Sequence, residues 1–138
     1  MKIRLIPWLI VLALTPFSDA AALKIHFISG AREYKSEESL KKFIPWLEKH
    51  HDVKCSVSWG HDGIKELPNL DALKEADVLF VFARRMKLVE PQMKLIRMHW
   101  EKGKPIVGVR TASHAFQKAD NEVFDRQVMG GNYQGHFG

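Results

Sequence analysis

The 138-residue chain holds a single cysteine, Cys55. No internal disulfide is available, so stability has to come from a packed core. Metal-site spacings are missing as well: no H-x-x-x-H and no C-x-x-C occurs, and the seven histidines are scattered, with His50 and His51 at a helix end. The remaining metal arrangement is His114 with His136 across the fold, and no cofactor is called for. Repeats, low-complexity linkers, a lysine-rich tail and basic–aromatic interleaving are all absent. That pattern argues against a nucleic-acid partner. Long apolar runs are lacking too. The most apolar stretch, Leu5–Leu14, has ten residues, whereas a membrane span needs about 20.

What is present fits one globular domain. The chain is 46% hydrophobic and 27% charged, richer in apolar residues than a disordered sequence. The N-terminus differs from the rest. Lys2 and Arg4 precede the apolar stretch, and "TPFSDAAA" follows it with a proline and small residues. This is the pattern of a secretory signal peptide, cleaved after Ala20 or Ala22. The expectation is a signal peptide over residues 1–22 and an exported, periplasmic or extracellular domain over residues 23–138, with no stable membrane span after cleavage. An N-terminal anchor is the alternative. No cysteine follows the apolar run, which disfavours a lipoprotein. Cleavage after Ala20 removes Lys2, Arg4 and Asp19 and takes the charge from +5 to +4.

"LKIHFIS", Leu23–Ser29, reads as a strand stopped by Gly30. Ser36 is a plausible N-cap, with Glu37 and Glu38 in the first turn. Leu40, Phe43, Ile44 and Leu47 then recur at helical spacing, and Pro45 should kink or break that helix. "VKCSVSW", Val53–Trp59, alternates strictly, as a strand with one wet face near a sheet edge. "DVLFVFA", Asp77–Ala83, and "PIVGV" are apolar throughout, as buried parallel strands are. Between them a helix is expected over 91–102, with Met93, Ile96 and Trp100 as its apolar stripe and Gly103 and Pro105 as its stop. The alternation implies an α/β domain with a flavodoxin-like, doubly wound parallel sheet. Ligands in such folds bind at the carboxyl ends of the strands. A 2-1-3-4 strand order would bring three of those ends together.

Polar turns collect there. "SGAREY" follows strand one with Gly30, Arg32 and Tyr34, and "ARRMK" follows strand three with Arg84 and Arg85. "RTASH" follows strand four with Arg110, Thr111, Ser113 and His114. Arginine forks suit carboxylate, phosphate or vicinal sugar hydroxyls. The plain alternative is that loop arginines are solvated and that His114 packs or caps a helix. "GVRTA" has the rhythm of a nucleophile elbow, with Arg110 where Ser or Cys would stand. Arginine is neither nucleophile nor base. Cys55 is far from any elbow in sequence, so a cysteine-dependent amidotransferase is disfavoured. Ser113 and His114 are neighbours and make no triad by spacing alone.

The stretch "FARRMKLVEPQMKLIRMHWEKGKPIVGVRTASHAF" followed by "VMGGNYQGHFG" resembles the ThuA-like, or trehalose-utilisation-like, proteins, and in particular their exported members. The resemblance covers about residues 23–138. It rests on R-x-x-x-L-x-x-x-Q-M from Arg84 through Leu88 to Gln92 and Met93, on "GKPIVGVRTASHAF", and on "GGNYQGH". It implies a class I glutamine-amidotransferase-like fold without the cysteine nucleophile, and a place in carbohydrate metabolism. A small-molecule carbohydrate is then the expected partner. Arg84, Arg110, Thr111, Ser113 and His114 would line the pocket, with Tyr133 and His136 closing it. His114 and His136 are the proton-transfer candidates. Two departures stand out: "LVEP" occupies the place of an "LP-x-x-Q" turn, and Pro45 interrupts the first helix. Family members also continue further, so the domain is expected to be incomplete at its C-terminus, with an unpaired sheet edge and an uncovered face. The alternatives to a carbohydrate-handling protein are a non-catalytic envelope-binding domain and a non-functional fragment. Oligomeric state is not legible.

Overall fold

The computed structural model describes residues 21–135. Four parallel strands form one sheet: β1 Leu23–Gly30, β2 Val53–Trp59, β3 Val78–Ala83 and β4 Ile106–Gly108. Their order is β2-β1-β3-β4, the 2-1-3-4 arrangement. Helices α1 Ser36–His50, α2 Glu90–Glu101 and α3 Lys118–Val123 join 3-10 turns at Arg32–Tyr34, Leu70–Glu75 and Arg110–His114. The fold is α/β, as the alternation of elements requires. No helix of the described residues is long and apolar enough to cross a membrane. The expected signal segment falls, apart from Ala21 and Ala22, outside the described residues.

Strand periodicity sends alternate residues to opposite faces. Phe27 of β1 and Phe82 of β3 meet Leu40 of α1 on one face. Ile28, Leu79 and Val81 meet Met93 and Ile96 of α2, with Leu70 and Leu73, on the other. His99 joins Met93 and Ile96 as the third buried position of α2, and Trp100 is half-buried against Phe124, ring centroids 5.7 Å apart. Gln92 holds the β2–β3 connection to α2. Its amide accepts from Leu67 N at 2.7 Å and donates to Leu67 O at 2.8 Å.

Several local expectations change. Ser36 is the first residue of α1, and the cap position belongs to Lys35 in the left-handed region at φ 53°. The Ser36 hydroxyl turns inward instead, 2.9 Å from Ser29 Oγ, and accepts from Ala31 N at 3.0 Å. Pro45 does not break α1, which runs unbroken through it. Both Pro45 and Lys41, whose carbonyl loses its N–H partner to the proline, are solvent-exposed, so water can take that partner's place. The polar face of β2 is not wet along its length. Ser58 is buried, and His26 of β1 bridges it and Ser56, with Nδ1 2.8 Å from Ser56 Oγ and Nε2 3.0 Å from Ser58 Oγ. β4 is an edge strand rather than a buried one: Val107 is 43% exposed. Phe43 and Trp46 of α1 are also exposed, although the Phe43 ring lies against Phe27 and Phe80 of the sheet.

Candidate functional site

Registration of the strands aligns their carboxyl ends. Gly30 stands beside Ala83 and Val81 beside Gly108, so the turns after β1, β3 and β4 share one rim. The turn after β4 has an elbow's form. Val109 is extended, Arg110 is left-handed at φ 55°, and a helical turn follows. A non-glycine residue in that region costs about 1–2 kcal/mol, and such strain gathers at functional turns. The Arg110 guanidinium lies over the Tyr34 ring, 4.6 Å from its centroid.

Met86 is buried beneath the rim. Its thioether fills the notch at the end of β1, so closely that a Cβ on Gly30 would overlap it. The depressions on the β1 and β4 sides of the rim share no lining residue. On the β1 side, Arg84 Nη1 lies 2.7 Å from Glu33 Oε2 and 3.0 Å from Asp62 Oδ2. This arginine is engaged in joining three turns. On the β4 side, a cleft of about 390 Å³ opens between the Arg110–His114 turn, α3 and the loop beyond it. Small-ligand clefts run from about 300 to 1,000 Å³.

His114 and Tyr133 line this cleft as a stacked pair, ring centroids 4.3 Å apart and planes 15° apart. Asp125 positions that pair. It is buried, its Oδ2 accepts from Tyr133 N at 2.6 Å, and its backbone carbonyl accepts from Gly131 N at 2.7 Å. A Cβ on Gly131 would overlap the Asp125 carboxylate, so the glycine lets the loop close down on it. Asp125 Oδ1 is buried without a hydrogen-bond partner among the described residues. Asn121 ties the walls together by donating to Ser113 O at 2.7 Å and accepting from Phe116 N at 3.2 Å. Arg85, Glu122, Arg126 and Gln134 supply the rest of the polar lining.

Of the residues singled out in the sequence, the cleft brings together His114 and Tyr133. Arg84 is held by Glu33 and Asp62, and Arg110 by Tyr34, outside it. Thr111 is buried and donates its hydroxyl to Ala83 O at 2.7 Å, closing the end of β3. Ser113 Oγ lies 3.3 Å from His114 Nδ1. His136 lies outside the described residues. Phe116, Asn121, Glu122, Asp125, Arg126 and Gln134 are lining residues that sequence reasoning did not single out, and Arg85 was noted in its turn but not placed in the pocket. "ARR" offered two arginines, and only the fold tells which one faces the cleft. Cys55 lines no part of it; burial, then the Glu48 carboxylate beside it, push its thiol up to about 11. Among the described residues no group of three or more His, Cys, Asp or Glu could hold a metal ion.

Fold and cleft together define a parallel α/β domain with a ligand-sized site at the carboxyl ends of its strands. No family model, curated protein or solved structure matches the chain.

Proposed function

We propose that this is an exported ThuA-like domain, of class I glutamine-amidotransferase-like and flavodoxin-like architecture, that binds or processes a sugar or sugar derivative. The carrying observation is the stacked His114–Tyr133 pair lining a 390 Å³ cleft. Flat rings suit the apolar face of a pyranose, and the amides and charges around them suit its hydroxyls. The 2-1-3-4 sheet and the left-handed Arg110 at a strand-to-helix elbow support the fold assignment. In this reading His114 moves the proton in any reaction, and Arg110, Thr111 and Ser113 hold the turn that presents it.

A non-catalytic binding domain is the second reading. It is favoured by one observation: the elbow position carries Arg110, which can act neither as nucleophile nor as base.

Calorimetric titration with disaccharides and their keto derivatives tests both. Saturable binding should weaken about tenfold in Tyr133→Ala, through loss of the stacking surface. Turnover abolished in His114→Ala selects the enzyme, and binding without turnover selects the binding domain. No binding of any sugar sinks the proposal.

A further inference from the structure

We infer that Arg85 anchors an oxyanion of the ligand, so that the cleft selects an acidic sugar derivative, a carboxylate or a phosphate, over its neutral parent. The inference rests on the cleft being a sugar site.

Three turn arginines sit at the carboxyl ends of β3 and β4, and two are engaged. Arg84 is bound by Glu33 and Asp62, and Arg110 lies on Tyr34. Arg85 lines the cleft, and its guanidinium has neither ion-pair nor hydrogen-bond partner among the described residues. The other arginine of the lining has a carboxylate beside it. Arg126 stands 3.8 Å from Glu122, and Asp125 receives the Tyr133 N–H. Of the two lining arginines, Arg85 is the one with no carboxylate paired to it among the described residues, so a ligand anion would meet its cation there.

The backbone of Arg85 is also built for the purpose. It is left-handed at φ 48°, a conformation that costs an arginine free energy. Both its backbone groups are fastened: its N–H donates to His114 O at 2.9 Å, and its carbonyl accepts from Gly63 N at 3.0 Å. The first of these bonds ties the Arg85 turn directly to the residue that stacks on Tyr133. With Met86 N donating to Ala115 O at 2.8 Å, two backbone hydrogen bonds hold the Arg85 turn against the His114 turn. A forked guanidinium on a fixed backbone suits two-oxygen recognition of a carboxylate or phosphate.

The test is calorimetric titration of the protein with glucose, glucuronate and glucose 6-phosphate, with acetate and inorganic phosphate as bare anions. At least one anionic sugar should bind about tenfold or more tighter than glucose. The preferred one identifies carboxylate or phosphate. Arg85→Ala should bring that sugar down to the affinity of glucose, and Arg85→Lys should keep part of the preference. Arg85→Gly removes the guanidinium while relieving the positive φ, so its result does not depend on tolerating strain. Equal binding of neutral and anionic sugars, or a preference that survives both Arg85→Ala and Arg85→Gly, overturns the inference and leaves the sugar reading standing. Tight binding of bare phosphate or acetate with no sugar bound overturns the selection of a sugar and the sugar reading together, as does no binding at all.

Discussion

His26 should make the protein acid-labile well above the range where carboxylates titrate. It sits on β1 with no solvent exposure, between the hydroxyls of Ser56 and Ser58. Burial, and secondly the charge of His99, lower its pKa from 6.5 to about 4. Both hydroxyls can accept from a protonated ring, so the cost of protonation is desolvation rather than a broken hydrogen bond. The unfolded chain takes up this proton near pH 6.5 and the folded chain only near pH 4. Stability is therefore complete above pH 6.5 and lost as pH falls towards 4. The total loss is about 3 kcal/mol, with a slope near pH 5 of about 1.2 kcal/mol per pH unit. His99, lowered mainly by burial, adds loss of the same sign. Urea unfolding followed by tryptophan fluorescence from pH 7.5 to 4 reads the slope directly. His26→Gln should flatten it, whatever the variant does to absolute stability. Parallel curves for wild type and variant across that window would refute the reasoning.

Four further outcomes follow from single contacts. Gly131→Ala places a methyl on the Asp125 carboxylate, so the loop should lift and the Tyr133 ring signals should lose their shielding by His114; unchanged ring shifts count against the packing described. Thr111→Val leaves the buried Ala83 carbonyl without its donor and should cost about 1–3 kcal/mol in urea unfolding. Arg110→Gly relieves the left-handed strain and gives up only the contact with Tyr34, so stability should hold or rise by about 1 kcal/mol. A clear loss of stability contradicts the strained elbow. Cys55, with its thiol near 11, should be alkylated far more slowly at pH 8 than a free thiol, since its thiolate fraction is on the order of one in a thousand.

The sheet was largely legible because strand signals are local. Apolar runs closed by Gly30 and by the arginine-bearing turns marked β1 and β3, and the elbow after β4 was visible as "GVRTA". What misled was polarity whose partner lay far away in sequence. Ser56 and Ser58 looked solvent-facing because His26 comes 30 and 32 residues earlier. The partner of the Thr111 hydroxyl, Ala83, is likewise 28 residues back and is not visible in the sequence. β4 looked buried because its composition is apolar, but its place at the sheet edge is set by order, not composition. In the site, His114 was legible in the polar turn after β4, and Tyr133 only through the resemblance carried by "GGNYQGH". Asp125 carried none: an aspartate within "FDRQV" reads as a helix surface until the Gly-rich loop folds back onto it.

The central claim is that the ligand sits on the His114–Tyr133 pair rather than elsewhere on the rim. Chemical-shift mapping with a disaccharide or its keto derivative tests it directly. The account predicts saturable shifts centred on His114, Asn121, Tyr133 and Gln134, and their loss in Tyr133→Ala. Shifts centred instead on Arg32, Glu33, His61 and Asp62, at the β1 side of the rim, would contradict it.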